Sequence, residues 1–230
     1  MTQKSIVILL LIFSAHIAIS QELIQFNEKG KVGLRDASGQ IIIPAKYDAI
    51  GNFSEGLALV VDHEMRGYID RHGDLLIPFN YTEGATFSNG VARVKSGNKY
   101  GFINHQNQSV IPFDYDEAGD FYNGVARVRK GSNWGYIELG GDELISLTYE
   151  YAGNFREGMA PVKSNSKWGY IDRCGTIMLP FEYDQAHEFQ KGKAWVLKGD
   201  SAFYIDKSGK FISKAEQQTP TVNAPRNESH

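Results

Sequence analysis

Apolar and polar positions along this chain fall into short runs separated by turn residues, and the runs return in a fixed order. Val91-Ala92-Arg93-Val94 is followed by a polar turn, then by Tyr100-Gly101-Phe102-Ile103, then by a second turn and an apolar run closed by proline, Val110-Ile111-Pro112. Runs of this length bounded by Gly, Asn, Asp and Ser predict strands, and three in succession predict an antiparallel meander. The set recurs every 34 residues, as Val32-Gly33-Leu34, Arg66-Gly67-Tyr68, Tyr100-Gly101-Phe102, Trp134-Gly135-Tyr136 and Trp168-Gly169-Tyr170; Ala202-Phe203-Tyr204 keeps the frame but loses the glycine. A fixed period of this size marks a repeat array and overrides a domain count from length. Units begin near residues 23, 57, 91, 125, 159 and 193.

Alternation sets the register. Opposed residues of a strand pair share a face, so Lys95 is expected opposite Tyr100, Arg93 opposite Phe102, Val94 opposite Gly101 and Ala92 opposite Ile103. The same count places Arg129 opposite Trp134, Arg127 opposite Tyr136 and Lys163 opposite Trp168. Consecutive apolar residues in the second and third strands imply that both faces are covered, as in small sheets packed between neighbours. Gly67, Gly101, Gly135 and Gly169 then mark a close approach by another layer. Asp36, Asp70, Asp172 and Asp206, each with Gly three residues on, read as turn formers. Between units runs a connector that opens on Tyr47, Tyr81, Tyr115, Tyr149 or Tyr183, carries Phe six residues later and closes on Gly. Its aromatic columns never fail, which predicts that each connector docks alike and fills a gap between sheets.

The expected fold is therefore all-β: six three-stranded antiparallel meanders stacked as an open twisted solenoid. Units short for a propeller blade, and a chain that begins on a first strand and ends on a third, favour the open array over the alternative, a closed propeller-like ring. Residues 1–20 read as a secretory signal peptide, with Lys4, the apolar run Ile6 to Phe13, and Ala18 and Ser20 before a cut at Gln21. The array spans 21–213, and 214–230 reads as a disordered polar tail. Export to the periplasm or beyond follows, with no stable membrane span after cleavage. A single cysteine, Cys174, cannot close an internal disulfide, so packing must hold the fold. A net charge of -3 argues against a nucleic-acid partner.

Lys167-Trp168-Gly169-Tyr170-Ile171-Asp172, Pro180-Phe181-Glu182-Tyr183-Asp184 and Phe155-Arg156-Glu157-Gly158 together resemble the bacterial WG-repeat family, also called KWG repeats. The resemblance runs from residue 23 to 213, with departures at Val32, Arg35, Arg66, Ser146 and Phe203. It implies an all-β repeat module, and no reaction, cofactor or catalytic residue.

The residues point the same way. His63, His72, His105 and His187 occupy four repeat phases without a third ligand, so neither a metal nor a cofactor is expected. No nucleophile elbow or phosphate-binding loop occurs, and the chain is not expected to be an enzyme. What rises above background is a basic and aromatic face on units three to five: Arg93, Lys95, Arg127, Arg129 and Lys163 beside Tyr100, Trp134 and Trp168. Basic stems lying over aromatic rings would give contacts of about 0.5–1 kcal/mol each. The same side chains could alternatively form a stripe for an anionic or glycan-bearing partner. The expected function is a binding or scaffolding module for a protein or glycan in the cell envelope or secreted space; the alternatives are a structural spacer and, behind it, an enzyme with an unrecognised site.

Overall fold

The structure, a computed structural model, describes residues 22–214. The expected signal segment and all but the first residue of the expected tail lie outside the described residues. The described residues divide into two compact units, with the boundary between Tyr47 and Asp48.

The first unit holds one sheet, β1 (Ile24–Glu28), β2 (Lys31–Arg35) and β3 (Ile41–Tyr47), paired in that order. The second holds five. They are β4 (Ala49–Ser54) to β7, with β5 (Leu57–Asp62), β6 (Met65–Ile69) and β7 (Leu75–Tyr81); β8 (Glu83–Gly84), β9 (Ala92–Ser96), β10 (Lys99–Ile103) and β11 (Ser109–Tyr115); β12 (Glu117–Ala118), β13 (Val125–Lys130), β14 (Asn133–Glu138) and β15 (Glu143–Tyr149); β16 (Tyr151–Ala152), β17 (Ala160–Ser164), β18 (Lys167–Ile171) and β19 (Ile177–Tyr183); and β20 (Gln185–Ala186), β21 (Ala194–Lys198), β22 (Ser201–Ile205) and β23 (Phe211–Lys214). Every pairing is antiparallel, each sheet is separate, and no helix occurs among the described residues. None of these residues forms a helix long and apolar enough to cross a membrane. Small antiparallel sheets repeated in tandem make the fold all-β, as expected.

The expected registers are those observed: Lys95 pairs with Tyr100, Arg93 with Phe102, Arg127 with Tyr136 and Lys163 with Trp168. The meander holds in the first sheet. In sheets two to six it gains a fourth strand, because the connector pairs with the edge of the meander before turning back. Glu83 pairs with Lys95 and Ala118 with Val128, for example. An exposed strand edge and a connector with unmet N–H and C=O groups satisfy each other this way. The return is a two-residue hairpin with both residues left-handed, as at Asn89 and Gly90 (φ 56° and 80°) or Glu157 and Gly158 (φ 52° and 90°).

The glycine column corrects its expected reason. The close approach comes from the outer strand of the same sheet and not from another layer. Trp134 pairs with Tyr149 and Tyr136 with Ile145, so Ser146, Leu147 and Thr148 all stand opposite Gly135. A bulge of this kind drives the outer backbone inward; a Cβ on Gly135 would lie 2.5 Å from the Ile145 carbonyl oxygen. The prolines Pro78, Pro112 and Pro180 sit at the same bulge, where a missing N–H costs no ladder bond.

Within the second unit the core lies between consecutive sheets. Tyr136 and Ile145 of the fourth sheet pack with Phe155, Val162 and Ile171 of the fifth; Tyr170 and Leu179 of the fifth pack with Phe189, Val196 and Ile205 of the sixth. The connector Phe meets the aromatic residue of the preceding sheet at near-constant geometry, with centroids 4.9 Å apart for Tyr68–Phe87, 4.8 Å for Phe102–Phe121, 4.7 Å for Tyr136–Phe155 and 5.0 Å for Tyr170–Phe189. Where that residue is tyrosine, its buried hydroxyl donates at 2.7 Å to a connector carbonyl: Ala85, Gly153 or His187. Tyr47, Tyr81 and Tyr183 are buried, whereas Tyr115 and Tyr149 are partly so.

A candidate binding rim along the connectors

Eight residues of the basic and aromatic face separate into two groups. Lys95, Arg129 and Lys163 with Tyr100, Trp134 and Trp168 lie toward the hairpin end of each sheet. There the fourth strand supplies carboxylates: Glu83 Oε1 accepts from Lys95 Nζ at 2.9 Å and Glu83 Oε2 from the Tyr100 hydroxyl at 2.6 Å, and Glu117 accepts from Arg129 at 2.6 Å. Burial opposes ionisation of Glu83, but the bonds from Tyr100 and Lys95 outweigh it and hold the carboxyl below its ordinary range. Trp134 is only 5% exposed and lies under Arg127 and Arg129. Basic stems do lie over the aromatic rings, as at Lys95 and Tyr100, while the stripe given as the alternative is neutralised over much of its length by acids on a strand the sequence pattern did not announce.

Arg93 and Arg127 form the second group. They stand nearer the connectors, where the structure brings together side chains that differ from repeat to repeat. Arg93 Nε donates to Asp120 of the next connector at 2.8 Å. An open groove of about 540 Å³ beside it is lined by Ser54, Leu59, Ala85, Thr86, Arg93 and Asp120. Further along, Arg127 donates to the Ala152 carbonyl at 2.8 Å and to the Tyr151 hydroxyl at 3.1 Å. Arg156 lies 4.3 Å over the Tyr122 ring and 3.4 Å from Glu188, and His187 packs on Trp195 at 4.7 Å. These contacts run from the second sheet to the sixth along one edge.

The contrast with the rest of the repeat is physical. Positions facing neighbouring sheets must fill the same gap each time, so they repeat. At the rim the equivalent positions read Thr86, Asp120, Asn154, Glu188; Ser88, Tyr122, Arg156, Gln190; and Arg93, Arg127, Pro161, Trp195. Asp120, Tyr122, Tyr151, Arg156 and Glu188 were absent from the sequence-level candidates. The signal that finds them is failure of the period.

The turns carry no such chemistry. Asp70, Asp172 and Asp206 spend one carboxylate oxygen on backbone N–H groups two and four residues on, and exposed Cys174 sits in one of these turns. His105 stacks on Phe87 at 4.4 Å and faces Glu55 at 3.3 Å. Among the described residues no three His, Cys, Asp or Glu side chains group as metal ligands do.

In comparisons with known proteins, the pattern described as WG containing repeat matches residues 33–62, 67–100, 100–134, 134–168 and 168–200. No curated protein matches the chain in sequence. Among solved structures the chain is similar to that of a eukaryotic initiation factor, at 14% identity and a TM-score of 0.55 over 84% of this chain and 62% of that one. It is also similar to Kluyveromyces lactis Hsv2, at 9% identity and a TM-score of 0.48 over 80% and 70% of the two chains. A Bacteroides caccae protein of unknown function matches at 15% identity and a TM-score of 0.31 over 84% and 92%. The first of these is a likeness of fold, and this chain spans 62% of the length of the initiation-factor chain.

Proposed function

This chain belongs to the WG-containing repeat family, and from that premise we propose that it is a non-catalytic binding or scaffolding module that engages a protein or glycan partner along the connector rim. One observation carries the reading: columns that face other sheets repeat, whereas columns that depart from the period meet at that edge and bring Arg93, Arg127, Arg156, Tyr122 and Trp195 there. Those residue types concentrate binding energy where they occur at interfaces. A spacer needs no such departures.

The apolar run Ile6 to Phe13 and the small residues Ala18 and Ser20 support export, to the periplasm or the secreted space. The partner is then a component of the envelope or of the surroundings of the cell.

The test uses the chain starting at Gln21 as bait in an envelope extract, followed by affinity measurement on the partner recovered. Exchanging Arg93, Tyr122 and Arg156 together for alanine is expected to weaken binding by at least about tenfold, because truncating an interface hot spot costs about 2 kcal/mol or more. Unchanged affinity in a folded triple variant refutes the rim; absence of any saturable partner favours a spacer.

A further inference from the structure

The repeat supplies its own control for where the rim leaves a charge unmet. In the third sheet, Arg93 Nε donates to Asp120 Oδ1 at 2.8 Å. One repeat on, Arg93 becomes Arg127 and Asp120 becomes Asn154. The ion pair is lost with that single change from acid to amide: Arg127 Nε is buried and has no hydrogen-bond partner. A second acid disappears at the same junction. Glu83 serves Lys95 and Glu117 serves Arg129, but the next residue in that column is Tyr151, which pairs with Lys163. Lys163 is left with Glu150 at 3.9 Å, a far looser contact than the 2.9 and 2.6 Å of the two preceding pairs. Arg127 Nη1 still donates to the Ala152 carbonyl and the Tyr151 hydroxyl, both neutral, so among the described residues the guanidinium has no counter-ion; a buried donor without an acceptor, like its Nε, is uncommon.

What stands in place of the acids is aromatic surface. Tyr151 is 39% exposed and Tyr122 48%. Tyr151 is held rigid by Trp134 at 5.4 Å and Trp168 at 5.2 Å, and its ring lies 5.6 Å from the Arg127 guanidinium. Gly119 lets Arg127 lie close over the connector, since a Cβ there would stand 3.0 Å from Arg127 Cγ and 3.4 Å from its Nε.

We propose that the junction of the fourth and fifth sheets binds a carboxylate-bearing sugar, a uronic acid residue of a glycan, with its carboxylate on Arg127 and its ring against Tyr151. Flat, half-exposed phenol faces suit the C–H face of a pyranose, and one unmet cation suits one carboxylate per ring. An acidic peptide presents several carboxylates close together and needs a run of free cations, whereas Arg93, Lys95 and Arg129 are already paired. This inference rests on the rim being the binding edge.

The probes are polygalacturonate and, as neutral control, dextran, each titrated against the chain starting at Gln21. Binding of the acidic polymer and not the neutral one is expected. Asn154→Asp returns the acid that Arg93 already has, with little change of shape, and is expected to weaken binding by about tenfold, the value of one charge-assisted hydrogen bond. Asp120→Asn frees Arg93 in the same manner and is expected to strengthen it, and Tyr151→Ala is expected to weaken it. Equal binding by Asn154→Asp and the parent overturns the proposal, as does absence of binding to polygalacturonate. Binding to poly-glutamate in place of polygalacturonate also overturns it, in favour of an acidic protein segment. The rim reading fails separately, through the Arg93, Tyr122 and Arg156 variant and its own partner.

Discussion

Gly135→Ala isolates what the repeat glycine does. Its added Cβ would stand 2.5 Å from the Ile145 carbonyl oxygen, 2.8 Å from the Leu147 nitrogen and 2.9 Å from the Leu147 Cα. Carbon and carbonyl oxygen settle at about 3.3 Å or more, so β15 must retreat by roughly 0.8 Å. All three obstructing atoms are backbone, and none can swing aside. Overpacking costs about 1–3 kcal/mol, and a clash against backbone belongs in the upper half of that range. Alanine also stiffens the unfolded chain, which offsets about 0.4–1 kcal/mol. The expected net loss is about 1–2.5 kcal/mol. Gly51→Ala is the matched control: its Cβ would lie 3.5 Å from the Leu59 carbonyl oxygen, in ordinary contact, and neither glycine has a positive φ. That variant should keep the unfolded-state gain alone and be stabilised by about 0.4–1 kcal/mol. Urea denaturation of the two proteins measures both against the parent. A Gly135→Ala midpoint at or above the parent's would refute the bulge as the reason for the glycine.

Other outcomes follow from single contacts. Tyr136→Phe removes the buried donor to the Gly153 carbonyl and should cost about 1–3 kcal/mol by denaturation, even though the fold already accepts Phe102 at the equivalent place. Burial pushes the Tyr68, Tyr136 and Tyr170 phenols up, so stability should begin to fall as pH rises past about 10, the unfolded value, and those three should ionise only with unfolding in an ultraviolet titration. The Lys99 and Lys167 ammonium groups, then the Gly131 and Gly199 N–H groups, hold Asp116 and Asp184 below the usual carboxylate range. Their contribution is complete above about pH 4 and lost as pH falls through the lowered values, so a double Asp→Asn variant should show a shallower acid limb. Cleavage of the proposed signal segment predicts Gln21 as the first residue of the mature chain, read by mass spectrometry of its N-terminal peptide.

Strand order, register and hairpins were legible because each rests on local chemistry: alternation, Asn-Gly or Glu-Gly turns, Asp-x-x-Gly turns. The fourth strand was not: in sheets three to six it is two residues, as Glu83-Gly84 or Tyr151-Ala152, too short to show alternation, and the longer Ala49–Ser54 pairs with an irregular register that hides it. The basic and aromatic face was legible as a set of residues. Its state was not, since whether Lys95 or Arg129 is free depends on an acid twelve residues earlier that no local rule pairs with it.

The amino-acid sequence by itself determined the repeat, the antiparallel pairing within each meander and the columns that fill the gaps between sheets, for these follow from the spacing of side chains along one chain. Tertiary structure alone decided why Gly135 must be glycine, which cations are neutralised, and that Arg127 is left without the acid Arg93 has. Each of these is set by an atom brought near from another strand, and distance in space is not written in distance along the sequence.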